Sequence, residues 1–161
     1  MNISIKSMAL AGLLSLASLQ VVSADHHGGH SLKAKIQSFY MNLSQGQIAE
    51  ALAFVKSGAK GFMPFGVVRT FPQEEARQMA VAEMQRDREA GYEFKGRPAQ
   101  IGITELSEKH ALATFYVDGF EKEPGGKREH VLNRVSLVLE KGEEDWQICH
   151  WHISRLERDD D

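Results

Sequence analysis

Several side chains near the end of the chain have types and spacing that suit chemistry on a small molecule. His150, His152 and Ser154 alternate along Trp146-Gln147-Ile148-Cys149-His150-Trp151-His152-Ile153-Ser154. Arg134 and Ser136 alternate along Arg134-Val135-Ser136-Leu137-Val138-Leu139-Glu140. A guanidinium grips a carboxylate through two parallel N–H groups. An imidazole titrates near neutral pH and can move a proton. The set suits an anionic or carbonyl ligand, with His152 or His150 as general acid/base and Arg134 stabilising developing negative charge. Tyr40, Ser136 and Ser154 are candidate ligand-binding hydroxyls. The competing reading is that these polar groups satisfy one another inside the fold and fix the strands that carry them.

Those strands must form a hairpin for the cluster to exist. Alternation at period two marks a strand with two different faces, and β-branched and aliphatic residues favour one at Arg134 to Glu140. Lys141-Gly142-Glu143-Glu144-Asp145 is the turn between them. If Glu140 pairs with Trp146, Ser136 falls opposite His150 and Arg134 opposite His152, and opposite residues share a face. A one-residue slip would reverse every side chain. Trp151 and Ile153, with Val135, Leu137 and Leu139, then make an apolar opposite face that must be covered. If the packing is reversed, Trp151 is core and the histidines are exposed.

Metal binding is a further chemistry to weigh. His150 and His152 at i, i+2 could share an ion, with His130 on the same parity as Arg134. No Asp or Glu stands among them, however, and Arg134 would repel a cation. At the other end, Asp25-His26-His27-Gly28-Gly29-His30 is polar. Were a leader cleaved after Ala24, His27 would be the third residue. A free amine, two backbone amides and that imidazole, beside His26, suit square-planar Cu(II) or Ni(II). The alternative is a solvated linker over residues 25–31. No cofactor is expected.

The 161-residue chain has a formal net charge of −3, which argues against nucleic acid as a partner. Residues 1–24 read as a secretory signal peptide: Lys6, an apolar run from Met8 to Val22, and the cleavage pattern Val22-Ser23-Ala24. The expectation is a periplasmic or secreted protein with no membrane attachment after cleavage. Cys149 is the only cysteine, so no internal disulfide supports the fold. Its plain role is that of a small buried apolar residue.

Ser31 is a plausible N-cap for a helix from about Leu32 to Leu43, with Ile36, Phe39, Tyr40 and Leu43 forming one stripe. A second helix is expected over Gln47 to Lys56, then an irregular segment with a short strand near Val67 and Val68. Thr70-Phe71-Pro72-Gln73 resembles a capping box for a third helix ending at Gly91. Strands follow within Tyr92 to Glu105 and His110 to Phe120, then the hairpin. Residues 157–161 form an acidic tail. Three N-terminal helices packed on a strongly bent antiparallel sheet make an α+β, cone-like fold.

The hairpin motif Arg134-Val135-Ser136-Leu137-Val138-Leu139, charged turn, Trp146-x-Ile148-x-His150-x-His152-x-Ser154, and the helix end from Phe39 to Gly46, resemble the SnoaL-like branch of the nuclear transport factor 2-like superfamily. The closing strand is also similar to that of the calcium/calmodulin-dependent kinase association domain. The resemblance covers residues 32–156 as one domain. It implies a pocket between helices and sheet, and homodimers through the outer sheet face, here around Trp151. The superfamily holds enzymes and pure binding or assembly domains alike. Ketosteroid isomerase-like members carry a catalytic tyrosine where this chain has Phe39, with Tyr40 turned about 100° away. They carry a catalytic aspartate where it has Met63, before Pro64-Phe65-Gly66. Isomerase chemistry of that kind is therefore not expected. Two functions remain: an exported protein that binds a small polar or anionic organic molecule, with His-based acid/base chemistry, or a non-catalytic dimeric interaction module whose cone is filled.

Overall fold

The computed structural model describes residues 27–64, 68–71 and 73–156. The expected leader, His26 and the acidic tail lie outside the described residues. Helix α1 spans His27–Gln45. It begins before Ser31, so Ser31 is not its N-cap, and the backbone of His27 to His30 is helical rather than a linker. Leu32, Ile36 and Tyr40 are its buried residues. Gly46 ends the helix in the left-handed region at φ 81°, where a side chain is strained.

Helix α2 is shorter than the periodicity predicts, Ile48–Leu52. Val55 and Lys56 belong instead to strand β1, Val55–Phe62. Val55 pairs in parallel with Ile148, and the Ile148 amide donates to the Phe54 carbonyl at 2.8 Å. Tertiary pairing of a β-branched residue here overrides local helical pattern. Strand β2, Val68–Thr70, pairs antiparallel with β1. Helix α3, Glu74–Glu89, has Glu74 and Glu75 in its first turn and Arg86 and Arg88 in its last, matching the helix dipole at both ends. Its N-cap is Gln73, with no side-chain cap; the expected Thr70 box is absent because Thr70 lies in β2.

Strands β3 (Glu93–Ser107), β4 (His110–Lys122), β5 (Arg128–Lys141) and β6 (Trp146–Arg155) complete one six-stranded sheet of order β2-β1-β6-β5-β4-β3. The chain is thus an α+β cone: helices sit on the concave face of a bent sheet. The sheet is mixed, because β1 runs parallel to β6. Register shifts in β1, β3 and β6 supply the bend.

The β5–β6 hairpin forms, but its register differs from the expected one. Glu140 pairs with Gln147, not Trp146. After a bulge at Cys149, Val138 pairs with His150, Ser136 with His152 and Arg134 with Ser154. The bulge holds Ile148 and Trp151, three residues apart, on the same inner face, where both are buried. His150, His152 and Ser154 point outward instead.

Candidate functional site

A cavity of about 350 Å³ opens between the helices and the concave face of the sheet. Its walls are mainly apolar. Phe39 and Leu43 come from α1, Phe71 from the segment before α3, Phe94 from β3, and Val135, Leu137 and Ile153 from the closing hairpin. The expectation of a filled cone is therefore not met.

Two aromatic side chains of this wall carry a polar atom. Tyr40 packs edge-on against Phe39 and Phe115, with ring centroids 5.1 and 5.7 Å away. Burial pushes its hydroxyl far above the ordinary phenol range, so it remains a protonated donor. The second atom is Trp151 Nε1, which is buried and unpaired. Leaving a buried donor unsatisfied costs about 1–3 kcal/mol. Trp151 stacks at a tilt on Phe71, centroids 5.6 Å apart.

The ionic lining residues are Arg69, Asp87, Arg88 and Glu121, joined by Tyr92. Arg88 donates to the Leu43 carbonyl at 3.5 Å, closing the end of α1. Glu121 pairs with Arg155 at 3.1 Å. The Tyr92 hydroxyl is pushed up to about 12, first by partial burial and then by the carboxylates of Glu121, Glu123 and Asp87. These groups are partly exposed and form a charged margin around an apolar interior.

Of the residues expected at the site, only Tyr40 lines the cavity. Arg134, Ser136, His150, His152 and Ser154 lie on the convex, outer face of the sheet. The bulge at Cys149 is the reason, and strict alternation gave no signal of it. His150 and His152 do not meet His130, which pairs with Asp118 at 2.6 Å. Among the described residues no group of three metal-ligating side chains is assembled. His26 lies outside the described residues, and His27 opens α1. Trp151, expected at the outer face, is an inner wall residue, so an interface centred on it is excluded. Cys149 is half-buried, with its thiol donating to the Val138 carbonyl at 3.3 Å; burial, then the Glu140 charge, pushes that thiol up. No helix of the described residues is long and apolar enough to cross a membrane.

Sequence reading placed Trp151 inside only as its reversed-packing alternative, which is the arrangement found, and it missed Asn133 and the α3–β3 margin as cavity residues. Arg88 and Tyr92 flank the Gly91 helix stop, and that juxtaposition was the available signal. Met63, at the position for which the resemblance implies a catalytic carboxylate, lines the cavity.

Fold and cavity together define a cone-shaped α+β domain with room for a ligand. The chain belongs to the SnoaL-like domain family, whose model matches residues 32–157. Solved structures share the fold at low identity. One is a ketosteroid isomerase-like protein from Erwinia carotovora atroseptica, 12% identical over 83% of this chain and 100% of that one, TM-score 0.69. Another is described as a putative scytalone dehydratase from Novosphingobium aromaticivorans, 11% identical over 81% and 85%, TM-score 0.68. A third is described as a putative calcium/calmodulin-dependent protein kinase II association domain from Xanthomonas campestris, 16% identical over 80% and 87%, TM-score 0.62. No curated protein matches the chain.

Proposed function

We propose that the cone binds a small organic molecule with an apolar, ring-sized body and one hydrogen-bond acceptor. The observation that carries this reading is an open, mainly apolar cavity with the Tyr40 side chain in its wall, its hydroxyl kept protonated by burial. Ligand pockets of about 300–1,000 Å³ are typically apolar with a few placed polar groups, and this one falls at the small end. An apolar wall favours an uncharged body over the wholly polar or anionic ligand suggested by Arg134. The ionic margin at Arg69 and Arg88 leaves room for a charged substituent outside the cavity.

A thermal-shift screen tests it, with bicyclic ketones such as 2-tetralone beside medium-chain carboxylates and alcohols. A ligand at about 100 times its Kd adds about 2.7 kcal/mol, or roughly 5–10 °C in Tm for a chain of this size. Ketones should give that shift. Tyr40→Phe should weaken binding about three- to tenfold, the worth of one hydrogen bond. Leu43→Trp, which puts an indole into the wall, should abolish it. Shifts that survive both substitutions would place binding elsewhere and overturn the reading.

A second reading concerns assembly. Phe62, Val68 and Tyr116 are exposed at 45%, 53% and 38%, and all three lie on the outer sheet face. Similar structures include domains named for association and for a kinase hub. Self-association through that face fits both facts, with its centre at Ser136 and His152 rather than Trp151.

A further inference from the structure

A second space lies outside the cone, a groove of about 670 Å³ between α1, the end of α2 and the β5–β6 turn. Lys35, Ser38, Phe39 and Asn42 form its α1 wall, at the spacing of one helix face. Phe54 and Trp146, both half-buried, supply its aromatic floor. Among the described residues, Phe39 alone borders both the groove and the cone, and its ring lies 6.1 Å from that of Phe54. The groove is thus a separate space and not an arm of the cavity.

Its charged lining is mostly of one sign. Glu50, Glu143, Glu144 and Asp145 border the groove, against Lys35 as the one cation among its described lining residues. The nearby Lys56 is engaged by Glu140 at 2.6 Å. The turn carrying three of these carboxylates is held in shape. The Gly142 amide donates to the Asp145 carbonyl at 2.9 Å, and the Trp146 amide to the Asp145 carboxylate at 2.7 Å. The Lys35 ammonium sits over the Phe54 ring, 5.8 Å from its centre, and pairs with Asp145. A cation within about 6 Å of a ring centre is attracted by the ring's negative face. The chain's own side chain therefore already places an ammonium group between the aromatic floor and the acidic turn.

We propose that this groove binds a small organic ammonium ion, whose cationic head takes the place of the Lys35 ammonium between Phe54, Trp146 and the acidic turn. The site goes beyond the cone reading and does not depend on it. An inorganic cation answers the carboxylates, but its tight hydration shell gains little from a ring. A neutral molecule of the same shape meets the rings without answering the charge. An alkylammonium ion uses both, because its charge is spread over a weakly hydrated apolar surface. Four carboxylates against one ammonium exclude an organic anion. Lys35 can leave at small cost, since its side chain is 30% exposed and its pair with Asp145 is a surface one. The contacts are partly solvated, so binding falls in the millimolar range.

Titration of the purified chain with choline at constant ionic strength, read by tryptophan emission, is the test. Dimethylbutanol, the uncharged carbon isostere of choline, is the control. Trp146 borders the groove, whereas Trp151 is buried in the cone wall. The expected result is a saturable change with choline and none with the alcohol. Trp146→Phe, which keeps a ring, should silence it. Lys35→Gln removes the internal competitor and should tighten binding about two- to fivefold; Glu143→Gln with Glu144→Gln should weaken it by about the same factor. Near-ultraviolet dichroism confirms that each variant is folded. No saturable change in either the parent or Lys35→Gln overturns the proposal. A change that persists in Trp146→Phe places the cation at Trp151 and overturns the groove as its site. An equal response to the alcohol, or binding indifferent to the glutamate substitutions, overturns the ammonium as the recognised group.

Discussion

At Gly61 the backbone of β1 runs against the indole of Trp151. A methyl group there would stand 2.5 Å from the ring and closer still to the Trp151 carbonyl oxygen. No flexible side-chain end is available to give way, because the obstacle includes backbone of the paired strand. The φ of Gly61 is unremarkable for any residue, so the requirement is space alone. Gly61→Ala must part β1 from β6 or push the indole into the cavity. Overpacking of this kind costs about 1–3 kcal/mol. The expected outcome is a lower urea midpoint at unchanged m-value, together with loss of the ketone-induced thermal shift. Unchanged stability would mean that Trp151 does not lean on β1 as described. Gly58, at φ 86° with open space beside it, differs in kind: substitution there strains the backbone without touching the site.

Strand β6 divides its labour by face, and that division can be measured along five residues. Ile148 and Trp151 are buried inward, whereas His152 is exposed outward and His150 half-exposed. Trp151→Ala should cost about 3–5 kcal/mol, as large core truncations do. His150→Ala with His152→Ala, measured at low protein concentration, should cost less than about 1 kcal/mol, two surface changes together. Comparable losses from both would restore the view that the histidines fix the fold from inside. The same strand shows what the sequence made legible. The hairpin, the helix order, the α3 dipole residues and the cone were readable, because each is written in local period, turn residues and end charges. The facing of the histidines was not. A bulge at Cys149 adds one residue to a period of two, and alternation carries no mark of that insertion. Likewise, β1 was hidden because Val55 continues a helical stripe begun by Ile48, Ala51 and Leu52. Its strand character comes from Ile148, almost a hundred positions downstream, which no local window contains. Tyr40 was found as a hydroxyl on the apolar stripe of α1, while Trp151 was placed inside only as the alternative because its face was assigned by the wrong phase.

At the scale of the molecule, acid should act through the tertiary ion pairs. Lys35 on α1 binds Asp145 in the β5–β6 turn, Lys56 on β1 binds Glu140 on β5, and Lys122 and Arg128 bind Glu93 on β3. Hydrogen bonding from these partners, Arg128 first at Glu93, holds all three carboxyls below their ordinary values of 3.8 for Asp145 and 4.5 for Glu93 and Glu140. A carboxyl depressed in the folded state contributes stability that is present above its unfolded value and is lost as pH falls through the folded one. The pairs are solvent-exposed, so each contribution is small, but they tie helix, hairpin and edge strand together and fail over the same range. On titration from pH 8 to pH 3, thermal stability should decline below about pH 4.5, with a shallower decline in Glu140→Gln. An equal slope in the parent and in Glu140→Gln would show that the Lys56–Glu140 pair carries none of the acid sensitivity, leaving it to the pairs at Asp145 and Glu93.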